Sequence, residues 1–525
     1  MTRKIEILDS TLRDGAQGEG ISFSVEDKLN IVRSLDRLGV DYIEAGNPGS
    51  NPKDMEFFER VKMLDLRYSR LVAFGSTRRC HIPVQEDKNV RALIGAGTST
   101  VAIFGKCWDM HVTEILRTTL EENLRMIEET LAYFKSHGKE VIFDAEHFFD
   151  GYKKNPDYAM QALEAAVRAG ADCLNLCDTN GGCFPDEIYE MTKAVCARFP
   201  VKVGIHCHND IGCAVAGTLM AVKGGATHVQ GTYIGFGERC GNTNLSTVIP
   251  SLQLKAGYHC IPDENIRLLT KTATYIAEIS NLTVDHGMPY VGKSAFAHKG
   301  GMHVDGVNKN PASFEHIPPE TVGNKRNILL SEVAGRGAVI KKLSHLDHSI
   351  TKDSPQAQEM VELLKNKELE GYQFESASAS LELLILKRLG RFTPFFHIEH
   401  FKIIGEREQD KSAPSSAMVK IKVGDQYEIT ADEGNGPVHA LDKAMRKALE
   451  VFYPALSHMR LIDYKVRVME THQATAAKVR VLIESTDGQN VWTTIGVSTD
   501  VINASATALS DSIEYKLYKD AHPDK

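Results

Sequence analysis

Short apolar runs alternate with longer amphipathic stretches from the first residues to about position 275. The runs are Ile5 to Leu8, Tyr42 to Ala45, Leu71 to Phe74, Thr100 to Phe104, Glu140 to Asp144, Cys173 to Cys177, Val201 to His206 and His228 to Gly231. Each is short and bounded by turn formers, as strands are. Between them apolar positions recur at helical spacing, as in Val25 to Leu38 before the stop at Gly39, or Asp157 to Ala169 before Gly170. Eight strand-helix units in roughly 250 residues predict an α/β chain whose residues 1–275 close into a TIM (β/α)8 barrel. Functional groups of that fold gather at the C-terminal ends of the strands. The polar clusters obey the rule: Arg13-Asp14 follows strand 1, Glu44 to Asn47 ends strand 2, Glu146-His147 strand 5, Asp178-Thr179-Asn180 strand 6, and His206-Cys207-His208 strand 7.

The alternation stops at about 276, and residues 276–395 read as a linker region with helices such as Ser354 to Lys365 and Ser376 to Leu389. Its most distinctive segment is Ser294 to Gly306, which contains Gly301-Met302-His303-Val304-Asp305-Gly306. Residues 396–525 carry an internal repeat with a spacing of 60: Val419, Ile421 and Val423 recur as Val479, Val481 and Ile483, Gly436 as Gly496, and Ala444 as Ala504. Each copy reads as strands followed by a Gly-led helix, Gly436 to Val451 and then Gly496 to Leu517. The expectation is an α+β domain of duplicated βββα units, serving dimerisation, an effector site between the halves, or packing alone.

With 525 residues, more than one domain is expected. A net charge of -8 and no basic tract leave nucleic acid without an electrostatic footprint. No apolar run is long enough to span a bilayer, and the first residues enter a strand at once, so a cytoplasmic protein without membrane partners is expected. Ten cysteines without a Cys-x-x-Cys pair read as reduced, packed thiols.

His206 and His208 lie two apart at the end of an apolar strand, so both rings project to one side and can reach one ion, although His-x-His also occurs in solvated loops. Asp14 after strand 1 and Asn242 after strand 8 are candidate partners. A carboxylate, two imidazoles and an amide oxygen would leave open positions on Mn²⁺, Mg²⁺ or Zn²⁺, and a 2-oxo acid could chelate such an ion through its keto and carboxylate oxygens. Arg13 would neutralise charge developing on the keto oxygen, or else merely orient Asp14. Glu146 reads as a base or as a group that orients one. Thr179 offers a hydroxyl to a carboxylate, or stabilises the Asn180-Gly181 turn. The segment Gly235-Phe236-Gly237-Glu238-Arg239-Cys240-Gly241-Asn242 lets backbone approach a bulky ligand, or is a tight loop.

Taken together, Asp9-x-Thr11-Leu12-Arg13-Asp14-Gly15, His206-x-His208-Asn209-Asp210, the Gly235 to Asn242 segment and Gly301 to Gly306 resemble the metal-dependent acyl-CoA synthases that include 2-isopropylmalate, homocitrate and citramalate synthases. The resemblance runs essentially the whole length. Arg13 to Gly20 and Pro48 to Asp54 look most like the citramalate branch, which implies acetyl-CoA and pyruvate as substrates on a route to isoleucine. The 2-isopropylmalate and homocitrate branches differ only in the 2-oxo acid admitted, and a catalytically silent amino-acid sensor is a more remote reading. The resemblance assigns Asp14, His206, His208 and Asn242 to the metal, and Arg13 and Thr179 to the keto acid. It places Gly235, Gly237, Glu238 and Arg239 in an acetyl-CoA loop. Glu146 and His303 would deprotonate the acetyl methyl, His303 reaching the site from the linker of a partner subunit. It also implies a homodimer whose C-terminal domain binds isoleucine or leucine. Three positions depart from the pattern: Ala16 where a Glu is frequent, Phe314 where a tyrosine is frequent, and Asp144 where the pyruvate pocket is lined.

Overall fold

The computed structural model of the protein describes residues 3–50, 52–328, 354–405, 414–469, 477–488 and 490–522. Asn51, and residues 329–353 of the region read as a linker, lie outside the described residues. The eight strands expected from the apolar runs are present: β1 (Glu6–Asp9), β2 (Tyr42–Gly46), β3 (Arg70–Ser76), β4 (Thr100–Lys106), β5 (Glu140–Glu146), β6 (Cys173–Asp178), β7 (Lys202–Cys207) and β8 (His228–Gly231). They pair in chain order and close, β8 lying parallel beside β1 with Leu8 opposite Gln230.

The connecting helices are α1 (Val25–Leu38), α2 (Pro52–Val61), α3 (Lys88–Gly95), α4 (Leu120–Ser136), α5 (Phe148–Lys154), α6 (Pro156–Arg168), α7 (Pro185–Arg198), α8 (Ala214–Gly224), α9 (Leu245–Pro250) and α10 (Leu269–Ile279). α1 shows why these stretches are helical. Ser24 and Asp27 cap each other's backbone N–H, and Gly39, at φ 97°, ends the helix in a left-handed turn.

Inside the barrel, side chains fill layers. Leu8, Tyr42, Val72, Ala102, Ile142 and Cys173 make one buried apolar layer. Toward the strands' N-terminal ends, Glu140 accepts hydrogen bonds from Tyr42, Arg70 and Thr100. Toward the C-terminal ends the interior turns polar, with buried Glu44, Asp144, Asn175, His206 and Gln230. The apolar layer supports this polar one from below.

The chain divides into two compact units, Met1–Ala297 with Glu315–Arg326, and His298–Phe314 with Asn327–Lys525. The second contains α11 (Gly301–Lys309), α12 (Pro355–Glu370) and α13 (Ser378–Arg388). It also contains two antiparallel meanders. β9 (His397–Gly405), β10 (Ser415–Val423) and β11 (Gln426–Gly434) are followed by α14 (Pro437–Glu450), and β12 (Arg460–Val468), β13 (Val479–Thr486) and β14 (Val491–Ser498) by α15 (Val501–Ala521). These are the duplicated βββα units.

Their register corrects the spacing read from sequence. Val419 pairs with Thr430 as Ile483 pairs with Thr494, and the Thr430 and Thr494 hydroxyls donate to the carbonyls of Ala444 and Ala508. The structural repeat is therefore 64 residues from the second strand onward. In each copy a bulge interrupts the first strand, at Ile398/His400 and at Leu461/Asp463. Nor does Gly496 lead the second helix. That cap is Asp500, whose side chain accepts from the N–H of Ile502 and Asn503. Gly496 lies within β14, where a Cβ would come 1.9 Å from the Ala504 carbonyl oxygen.

The region read as a linker is shared between the units. α12 and α13 cover the second face of the β12–β14 sheet, Met360, Leu364, Leu381 and Ile385 clustering with Ile495. An apolar sheet face needs such a cover. No helix among the described residues is long and apolar enough to cross a membrane, and all ten cysteines are free.

Candidate active site and cation site

At the end of β1 the chain folds back on itself. The N–H groups of Arg13, Asp14 and Gly15 all donate to the Ser10 carbonyl, at 3.1, 2.9 and 3.1 Å, which sets Arg13 and Asp14 over the barrel mouth. Arg13 is then fixed on three sides. Its Nε donates to Glu44 at 2.6 Å, its Nη1 to Asp14 at 3.0 Å, and its guanidinium lies 3.8 Å from the centre of the Phe74 ring, itself stacked on Phe104. Against the cost of burial, the Glu44 and Asp14 carboxylates hold Arg13 firmly protonated. A cavity of about 350 Å³ opens beside it, lined by Leu12, Gln17, Asn47 and Phe74 among others.

β7 delivers the two imidazoles. His206 ends inside the strand, and His208 follows it in a backbone bridge to Asn242. Asp14 Oδ2 lies 3.4 Å from His206 Nε2 and 3.9 Å from His208 Nε2, and Asn242 Nδ2 lies 3.2 Å from His206 Nε2. All four side chains are buried. Asn242 arrives through the loop after β8, where its N–H donates to the Gly235 carbonyl and Gly241 donates to Glu238, both at 2.9 Å.

The fit to a cation rests on atoms left over. Asp14 Oδ1 and Asn242 Oδ1 are buried without a hydrogen-bond partner, a costly state that a divalent ion would relieve. Burial opposes ionisation of Asp14, but Arg13 and the two imidazoles outweigh it and hold the carboxyl well below the usual carboxylate range. Burial, then the neighbouring His206, push His208 down to about 4, so its ring is neutral at pH 7. Burial also works against charge on His206, but the Asp14 carboxylate prevails and raises it: a proton there occupies the place a cation would take. A second grouping of potential ligands, Cys80, His81 and Glu122, differs in this respect. Both Glu122 oxygens are claimed by arginines, Arg78 at 2.9 Å and Arg125 at 2.6 Å.

Arg13, Asp14, His206, His208 and Asn242 thus come together as one cluster. Glu146 and Thr179 close neighbouring strands on the same rim. Glu146 is ion-paired with Lys106 from β4. The Thr179 hydroxyl accepts from the His147 N–H at 2.9 Å, and its carbonyl accepts from Arg239, which also grips Asp210 at 2.8 and 2.9 Å. His303 sits on α11 in the second unit, its ring stacked on Phe314 with centroids 4.1 Å apart.

Of the departures, Ala16 is half-buried in a short 3-10 turn, and the carboxylate that braces Arg13 comes from Glu44 of β2. Asp144 points to polar partners, Asn175 at 2.8 Å and Gln230 at 3.0 Å. Lys106 and Gln230 are site-forming residues that pattern reading passes over, and Glu44 showed there only as part of the polar end of strand 2. Gln230 carried the one usable signal, a carboxamide in a four-residue strand buried throughout.

Three family models match successive stretches of the chain. Residues 4–276 match the HMGL-like family, 290–370 the homocitrate synthase post-HMGL domain-like family, and 375–517 the LeuA allosteric (dimerisation) domain. An (R)-citramalate synthase of Aquifex aeolicus is 54% identical over 522 residues, covering 99% of both chains. One of Geobacter sulfurreducens is 49% identical and covers 98% of both. A probable 2-isopropylmalate synthase of Methanopyrus kandleri is 34% identical over 97% of both.

Proposed function

The chain belongs to the (R)-citramalate synthase family, and we propose that it condenses acetyl-CoA with pyruvate to give (R)-citramalate and CoA. The observation that carries the choice of 2-oxo acid is the gap in identity: five citramalate synthases stand at 45–54%, the 2-isopropylmalate synthases at 34% and below. One or two methylenes in an apolar pocket change binding by only about 1–3 kcal/mol, so fold and ligand cluster alone do not separate these substrates.

A Mn²⁺, Mg²⁺ or Zn²⁺ ion held by Asp14, His206, His208 and Asn242 would supply Lewis-acid polarisation of the keto oxygen. Arg13 stabilises negative charge as it develops there, already pinned by Glu44 and so needing no reorganisation. Thr179 orients the keto acid's carboxylate. Glu146, with His303 of a second subunit, takes a proton from the acetyl methyl, and its ion pair with Lys106 holds Glu146 in place. The methyl carbon then bonds to the keto carbon, whose oxygen ends protonated. Water cleaves the thioester, releasing the CoA thiol and the new carboxylate. The loop of Gly235, Gly237, Glu238 and Arg239 borders the acetyl-CoA side.

We read residues 396–525 of the second unit as regulatory and dimer-forming, in keeping with the match of residues 375–517 to the LeuA allosteric (dimerisation) domain. A cavity of about 1190 Å³ there, lined by Trp492, Tyr515, Lys516 and Asp520 among others, has room and charges of both signs for isoleucine or leucine. The product would feed isoleucine synthesis.

The test is release of free thiol from acetyl-CoA with each metal in turn, offering pyruvate, 2-oxobutanoate, 2-oxoisovalerate and 2-oxoglutarate in parallel. Turnover best with pyruvate and abolished by chelator is expected. Preference for 2-oxoisovalerate or 2-oxoglutarate would keep the chemistry and move the pathway, and silence with all four would favour an amino-acid sensor.

A further inference from the structure

Behind His206 stands a polar relay that the reaction does not consume. Gln230 is fully buried in β8. Its Oε1 lies 3.0 Å from His206 Nδ1 and its Nε2 lies 3.0 Å from Asp144 Oδ1, which also receives Asn175 Nδ2 at 2.8 Å.

The direction of each hydrogen bond follows from valence. Asp144 Oδ1 takes two N–H groups and can only accept, so Gln230 must turn its amide nitrogen toward it. Its carbonyl oxygen then faces His206, and an oxygen needs a donor. His206 Nδ1 must therefore carry a proton, which leaves the Nε2 lone pair aimed at Asp14 and Asn242. The opposite carboxamide orientation would set oxygen against the Asp144 carboxylate, a repulsive contact in a buried place.

The geometry points to Asp144 and Gln230 as positioning residues that lock His206 into the Nδ1–H form with Nε2 ready for a cation. This inference rests on the cation reading of the cluster and adds a role for two residues outside the proposed ligand set. It also gives Asp144 a purpose: a buried carboxylate beneath the site fixes a carboxamide, and the carboxamide fixes a ring. Partners of this kind typically change metal affinity by about 10–100-fold when removed.

Two variants of nearly equal volume separate this lock from mere packing, both made in the full-length chain. Gln230→Met fills the space without an acceptor. Gln230→Glu keeps one, since a carboxyl beside Asp144 would share a proton with it and still present an oxygen to His206. Titration with Mn²⁺ should show affinity within about threefold of wild type for Gln230→Glu and about 10–100-fold weaker for Gln230→Met, with melting temperatures that agree. Solid-state ¹⁵N spectra of the histidine-labelled, Zn²⁺-loaded chain, with His206 identified by its loss in His206→Asn, should place the proton on Nδ1. Equal Mn²⁺ affinity in both variants overturns the lock while the cation site stands, and a proton on Nε2 overturns the lock together with His206 as a ligand. A wild-type chain that binds no Mn²⁺ overturns both.

Discussion

A Cβ placed on Gly237 would lie 2.0 Å from Asn242 Oδ1 and 3.3 Å from Asp14 Oδ1, although Gly237 has no positive φ to excuse it from carrying a side chain. What the position requires is space for two ligand oxygens, so Gly237→Ala should push the Asn242 carboxamide aside with no backbone strain. The expected outcome is Mn²⁺ affinity weaker by tenfold or more in calorimetric titration, with the melting temperature little changed. Unaltered affinity would remove Asn242 from the ligand set. The same residues show what a sequence discloses at this scale. Asp14, His206, His208 and Asn242 stand in short motifs whose own spacing suggests chemistry. Glu44 and Gln230 do not, because their partners Arg13 and His206 come from other strands of the closed barrel, and only the closure makes them neighbours.

At the scale of elements, β1 ends in a carboxylate that titrates where few do. Asp9 is fully buried, and burial pushes it up to about 7 although the Thr11 N–H donates to it at 2.9 Å. Unfolded, it would titrate near 3.9. Between those values the native state retains a proton that the unfolded chain has released, so this contribution to stability is complete below about pH 4 and is lost as pH rises through about 7. The span from 3.8 to about 7 corresponds to about 4 kcal/mol. Asp9→Asn keeps the acceptor for Thr11 and removes the titration. Melts of the chelator-treated protein should therefore show the variant level with wild type near pH 4 and several degrees above it by pH 8, and parallel curves would locate the titration elsewhere. The strands themselves were legible because apolar runs mark them, but β4 and β5 continue to Lys106 and Glu146, two residues past the apolar pattern. The polar rim that ends the pattern does not end the strand. The repeat misled for a related reason: an error of four residues, between 60 and 64, is two full strand periods and about one helical turn, so every face stays in phase.

At the scale of the molecule, the compact units decide where the chain can be cut. Composition and periodicity place a boundary near 396, where the duplicated strands begin, because periodicity reports each element's own faces and not which neighbour covers them. The contacts place α12 and α13 with the strands and helix that follow: Ser380 Oγ donates to Asp511 of α15 at 2.8 Å, Lys387 pairs with Asp511, Lys519 pairs with Glu382, and Met360, Leu364, Leu381 and Ile385 are buried in the cluster with Ile495 of β14. Each such buried aliphatic side chain is worth about 1.5–3 kcal/mol that exposure would forfeit. A chain ended at 395 to remove amino-acid inhibition would leave that apolar helical surface stripped of its sheet, and loss of inhibition would be mixed with damage to folding. We expect the 1–395 fragment to bind more of a hydrophobic dye, and to elute more broadly in size exclusion, than a fragment ended at 326, which carries none of α12 or α13. Equal dye binding by the two would mean that these helices hold together without the sheet, and the cut at 395 would then be the sound one for finding where an effector acts.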